Sequence, residues 1–291
     1  MLPQGIRIAR EANMLGVFDS GFGGLTILKD LAKALPNYDF VYLGDNARAP
    51  YGNRSFESIY RYTLEAVDYL FSLGCPLVIL ACNTASAKAL RTIQQNDLSK
   101  IAPQNRVLGI IRPIAEEVGK FTKSGYVGIL GTEGTVASQS YLLEIAKFWQ
   151  NLHVEQQACP MLVPLVENNL INHPATEMFV KEYTQKILER EPRIDSLVLG
   201  CTHYPLLQEV FVKVLPKSVK ITSQGGVIVQ KTIEYLANHP EIDNRISKNS
   251  GKNGKIRFLT TDSAEFFKKG AETFWHTQVQ VESVNLLPNA R

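Results

Sequence analysis

The chain predicts an α/β protein made of two pseudo-symmetric α/β domains with largely parallel sheets and an interdomain active-site cleft. Three observations carry that prediction. Short β-branched runs alternate with amphipathic helical stretches along the chain. Two of those runs end in matching cysteine turns, Leu77-Val78-Ile79-Leu80-Ala81-Cys82-Asn83-Thr84 and Leu197-Val198-Leu199-Gly200-Cys201-Thr202-His203. A second pair also repeats, Gly16-Val17-Phe18-Asp19-Ser20-Gly21 against Gly128-Ile129-Leu130-Gly131-Thr132-Glu133. Its offset of 128 − 16 = 112 is close to the cysteine offset of 201 − 82 = 119.

The individual elements are read from local pattern. Strands are expected at residues 15–18, 40–43, 77–81, 107–111, 126–130, 153–157, 196–199 and 220–222, with a late one at 255–260. Helices are expected at 55–73, where Ile59, Tyr62, Val67, Leu70 and Phe71 recur near a 3.6-residue period, and at 138–149 and 177–188. The Asn-, Gly- and Lys-rich stretch 238–255 reads as a flexible connection, and the first fourteen residues as a poorly ordered extension.

Composition narrows the function classes. At 291 residues, 45% hydrophobic and 20% charged, the chain is of globular type and long enough for two cores. A net charge of +3, with basic residues dispersed, gives no electrostatic footprint for nucleic acid. No apolar run approaches the ~18 residues of a membrane span, and no signal-peptide core is visible. Cys75, Cys82, Cys159 and Cys201 show no zinc-type spacing and point to reduced thiols in a cytoplasm. Cys75 and Cys159 read as packed side chains, and neither a metal nor a cofactor is expected.

Ligands in open α/β sheets gather beyond the carboxyl ends of the strands, where all the polar turns fall. A cysteine between a strand and a helix meets unpaired N–H groups that favour thiolate. Two such cysteines on opposite faces of a bound molecule suit two-base proton transfer at a tetrahedral carbon. The flanking Ser20, Tyr51, Gly52, Asn83, Thr84, Thr132, Thr135 and Thr202 supply neutral groups for a small zwitterion. Asp19 can accept from a substrate ammonium or assist Cys82. His203 and Glu167 are candidates to support the second thiol, although a two-residue spacing does not assure a close Cys201–His203 pair.

Assembled, these residues resemble the cofactor-independent glutamate racemases of the aspartate/glutamate racemase family. The matching stretches are Gly16 to Leu25, Gly44-Asp45 with Pro50-Tyr51-Gly52, Ala81 to Ala85, Val163 to Glu167, and Gly200 to Pro205. The resemblance implies Cys82 and Cys201 as catalytic bases with Asp19, Glu167 and His203 in support. It implies substrate contacts at Asp19, Ser20, Tyr51, Gly52, Asn83, Thr84, Thr132, Thr135, Thr202 and His203, and D-glutamate supplied for peptidoglycan. It also implies a discontinuous first domain, 14–109 with 216–291, around a second domain at 110–215; a homodimer is one option for assembly. Two departures stand out: Arg112 in place of Glu in an expected interdomain strand, and Ser223-Gln224-Gly225-Gly226 in place of an Asp-Ser turn. Neither falls among the residues expected to do chemistry.

Other readings fit less of the chain. Aspartate racemases share the cysteine plan, but there Glu is expected where this chain has His203. A cysteine hydrolase using Cys201 and His203 leaves Cys82 without a role. A dinucleotide fingerprint at Gly21-Phe22-Gly23-Gly24 is broken by Thr26. A non-catalytic amino-acid-binding regulator would not need both thiols.

Overall fold

The computed structural model describes residues 13–250 and 253–286, so the expected N-terminal extension lies almost wholly outside the described residues. Ten strands form two sheets among them: β1 Leu15–Asp19, β2 Phe40–Gly44, β3 Leu77–Leu80, β4 Arg106–Gly109, β5 Tyr126–Gly131, β6 His153–Ala158, β7 Ser196–Leu199, β8 Lys220–Thr222, β9 Ile256–Thr260 and β10 Val281–Ser283. The six-stranded sheet has the order β10-β9-β2-β1-β3-β4 and the four-stranded sheet β6-β5-β7-β8. Every strand pairing within them is parallel.

The internal repeat has a topological counterpart. The run β2-β1-β3-β4 in one sheet is matched by β6-β5-β7-β8 in the other. In each, the chain steps outward from a central strand (β1 or β5) and then returns to its other side. That reversal leaves a crevice at the strands' carboxyl ends, between β1 and β3 and between β5 and β7. Cys82 comes after β3 and Cys201 after β7, so each thiol stands at the switch point of its own sheet.

Sequence pattern explains the covering helices. Helix Phe56–Ser72 starts at Ser55, whose side chain accepts from the Ser58 N–H, and buries Ile59, Thr63, Ala66, Val67 and Leu70 on one face. Full burial of Ile59 or Leu70 contributes roughly 1.5–3 kcal/mol each. Helix Pro174–Arg190 covers the expected 177–188 and gains a turn at its start, where Pro174 needs no N–H partner.

Several elements differ from expectation. β4 stops at Gly109, and Ile111 opens helix Ile111–Glu117. Pro113 cannot donate to a ladder but fits a first helical turn. Arg112 is therefore a helix residue paired with Glu116 at 2.9 Å, not part of an interdomain strand. Of the helix expected at 138–149 only Ser140–Ile145 forms; a separate short helix, Glu133–Ala137, precedes it, and Gln139 at φ 57° divides the two. β8 pairs with β7, so the second sheet runs past the boundary expected at 215. β9 and β10 return to the first sheet. In the stretch read as flexible, Pro240–Asp243 is helical and Lys248 bridges Tyr38. The Asn249 N–H on the Asn37 carbonyl and the Gly254 N–H on the Pro36 carbonyl, both at 2.7 Å, also tie the described part of that stretch down. Among the described residues no helix is long and apolar enough to cross a membrane.

Candidate active site

The carboxyl ends of the two sheets face one cavity of about 110 Å³, which both Cys82 and Cys201 line. Each of these residues is 5% exposed. Ser20, Tyr51, Gly52, Asn83, Thr84, Thr132, Glu167, Thr202 and His203 complete the expected wall. Asp19 and Thr135 stand behind that wall. Asp19 accepts from the Gly21 N–H at 2.8 Å and from the Thr202 hydroxyl at 3.5 Å. Thr135 lies 3.1 Å from Thr132 and 3.4 Å from Thr84, hydroxyl to hydroxyl.

The two thiols have different surroundings. Cys82 precedes helix Asn83–Lys88, and its Sγ accepts from the Ala85 N–H at 3.5 Å while the thiol donates to Ser20 Oγ at 3.5 Å. Burial first, then the nearby charge of Asp19, pushes the Cys82 thiol up to about 12. Burial likewise raises the Asp19 carboxyl, against the opposing pull of His203 and of the Gly21 N–H. The resting first thiol therefore holds its proton at neutral pH and can act as an acid.

Cys201 does not lead directly into a helix. Thr202 and His203 form a turn, a 3-10 segment spans Tyr204–Leu207, and the α-helix begins only at Gln208. The expected matching helix start is therefore absent on this side, where Pro205 favours the tighter turn. The turn folds His203 back, so that Nδ1 lies 3.8 Å from Cys201 Sγ and Nε2 lies 2.9 Å from Glu167 Oε1. Burial alone presses this imidazole down, but hydrogen bonds and negative charge from Cys201 and Glu167 outweigh it and hold the ring well above its ordinary value. His203 thus stands as a hydrogen-bonding partner between Cys201 and Glu167. Glu167 arrives as the last residue of helix Leu162–Glu167, on the polar side of an otherwise buried apolar turn.

Close packing sets this geometry. A Cβ on Gly23 would stand 2.3 Å from Thr202 Oγ1 and 2.5 Å from His203 Nδ1, so a glycine there lets the first domain's turn press against the second thiol's support. The domains also meet through Thr84 and Thr132, 2.9 Å apart, and through the Gly134 N–H on the Gly52 carbonyl at 2.7 Å. Tyr51 donates to the buried Asp45, which Arg48 pairs at 2.7 Å and Thr261 bonds at 2.8 Å.

Sequence reasoning missed Asn53, Glu133 and Pro160 in the wall. Glu133 and Asn53 lie one position beyond residues already singled out, so extending each turn by one residue finds them. Pro160 joins Val163 and Pro164 as an apolar surface with no polar signature. Gln224, noted in the sequence only as part of a departure from an expected turn, is buried and bonded to Asn83.

Two parallel α/β sheets that each bring a cysteine, backed by acidic and imidazole groups, to one small cavity define an enzyme of paired-thiol chemistry. The chain belongs to the Asp/Glu/Hydantoin racemase family, whose model matches residues 23–230. It is 40% identical over 275 residues to a glutamate racemase of Persephonella marina, covering 94% of this chain and 97% of that one. Its structure is similar to that of glutamate racemase isoform RacE1 from Bacillus anthracis, with TM-score 0.85, 34% identity and coverage of 94% and 98%. It is also similar to the Francisella tularensis glutamate racemase in complex with D-glutamate, with TM-score 0.82, 32% identity and the same coverage.

Proposed function

We propose that this protein interconverts L- and D-glutamate by cofactor-independent two-base proton transfer, supplying D-glutamate for peptidoglycan in the cytoplasm. The observation that carries this reading is the pair of cysteines at equivalent switch points, both open to one cavity. The sulfur that is a thiolate removes the α-proton from one face. The opposite sulfur, as a thiol, delivers its own proton to the other face, and the two protonation states exchange. Asp19 and Ser20 support Cys82, while the Glu167–His203 pair supports Cys201. Asn83, Thr84, Thr132 and Thr202 supply the neutral groups that orient a dicarboxylate amino acid, with Tyr51 and Gly52 forming one wall and Thr135 bracing the threonines. A homodimer is the assembly to test by light scattering.

The test is proton NMR with circular dichroism of L-glutamate in D₂O, without added cofactor, beside L-aspartate. Loss of the α-proton signal and decay of the optical signal to zero for glutamate alone are expected. Cys82→Ala and Cys201→Ala should each lower turnover by at least about 10²-fold, because each direction uses both groups. Exchange with aspartate instead, or full activity in either variant, would contradict the proposal.

A further inference from the structure

We infer that Gln224 is a positioning residue, which holds the Asn83 amide in the one orientation that leaves only N–H for the substrate; the inference rests on the glutamate reading above. Asn83 adjoins Cys82 and lines the cavity, yet its side chain is tied from behind. Its Oδ1 accepts from the Tyr141 hydroxyl at 2.7 Å and from Gln224 Nε2 at 3.1 Å, while its Nδ2 donates to Gln224 Oε1 at 2.8 Å. Gln224 Nε2 also donates to the Tyr141 hydroxyl. An amide oxygen has two acceptor sites, and both are taken; an amide nitrogen has two hydrogens, and one remains. Asn83 can therefore greet a ligand only as a donor, which suits a carboxylate and rejects an ammonium.

The same contacts join parts of the molecule that are distant in sequence. Gln224 and Asn83 are each 2% exposed, so an unpaired end on either would be costly. Gln224 starts helix Gly225–Asn238, which leads from the second sheet toward the first and packs on helices Leu25–Ala34 and Ile111–Glu117. Gly225 permits that approach, since a Cβ there would stand 1.8 Å from Asp30 Oδ2. Tyr141 comes from helix Ser140–Ile145 of the second domain. Ionised Asp has no donor, and Ser carries donor and acceptor on one oxygen, so neither of the residues expected in this turn can make the two separate bonds that Gln224 makes with Asn83. The departure noted in the sequence thus reaches the substrate wall.

The experiment compares wild type, Gln224→Met and Gln224→Glu, each with its melting temperature recorded. For Gln224→Met we expect KM for glutamate to rise about tenfold, kcat to change less than about threefold, and D-glutamate affinity by calorimetry to fall in step with KM. Ionised Gln224→Glu can accept from Asn83 but cannot donate, so its KM should climb with pH as the new carboxyl ionises. In an Asn83→Ala background, Gln224→Met should add less than about twofold to KM. An unchanged KM in folded Gln224→Met, or additive effects with Asn83→Ala, would overturn the inference. Should Gln224→Met fail to fold, a KM for Gln224→Glu equal to wild type at every pH would overturn it instead. A wild type that does not racemise glutamate would remove the function reading and this inference together, whereas active wild type with indifferent variants removes only the inference.

Discussion

Cys82 shows how burial, reinforced by the nearby Asp19 charge, sets chemical role at the scale of a residue. Its thiol is pushed up to about 12, so the folded state holds that proton more tightly than the unfolded chain with its ordinary value of 9.0. The stabilisation this gives is complete below about pH 9 and is lost as pH rises through 9 towards 12. Thermal melting from pH 8 to 11 should therefore fall more steeply for wild type than for Cys82→Ser, whose hydroxyl does not titrate there. Parallel curves would show that Cys82 ionises in the folded protein as easily as in the unfolded chain. Both cavity cysteines were legible in the sequence because each ends an apolar run beside hydrogen-bonding residues. The Cys201–His203 contact was not, since a helical reading of two-residue spacing separates side chains that a turn brings within 3.8 Å. Gln224 was illegible for a related reason: nothing local says that a residue in one turn meets Asn83, 141 positions away.

Strand-turn units carry the site at the scale of elements. Strands β1, β2, β3, β5, β6, β7, β8 and β9 fall where the sequence predicts them; β1, β2, β3 and β7 are buried along their whole length and must be apolar, whereas the edge strands β6 and β8 are part-exposed and keep polar residues. The break at Gln139 escaped the sequence, as did the end of β4 at Gly109, although Pro113 is the local signal that a helix begins there. Strand β10 went unread, although Val279-Gln280-Val281-Glu282 alternates apolar and polar residues as an edge strand does. Close approach of the Gly21–Gly24 turn to the Thr202–His203 turn is the element contact most exposed to test. Gly23→Ala places a methyl group where Thr202 Oγ1 and His203 Nδ1 now stand, at 2.3 and 2.5 Å. Backbone and side chains must shift, and kcat should fall at least about tenfold, since small misplacements of catalytic groups cost rate steeply. Stability should fall by only about 1–3 kcal/mol, the range for overpacking. Wild-type kcat in a folded Gly23→Ala protein would mean that the two turns are free to separate without consequence.

For the whole molecule, the decisive property is that two similar halves present unlike thiols to one cavity. The repeat announces the symmetry, and the strand orders β2-β1-β3-β4 and β6-β5-β7-β8 give it a structural basis. The asymmetry comes from the segment after each cysteine: an α-helix capped by Cys82 on one side, and a tight turn carrying His203 on the other. A two-base inversion requires a proton acceptor on one face and a proton donor on the other. The most direct measurement is isotopic, made at early conversion of unlabelled L-glutamate in D₂O with the enantiomers separated before mass analysis. Transfer by two thiols predicts deuterium at the α-carbon of all D-glutamate formed and none in the L-glutamate that remains. Protium carried over into the D-product, or early deuterium in the recovered L-glutamate, would mean that one base serves both faces, and the paired-thiol mechanism would be wrong.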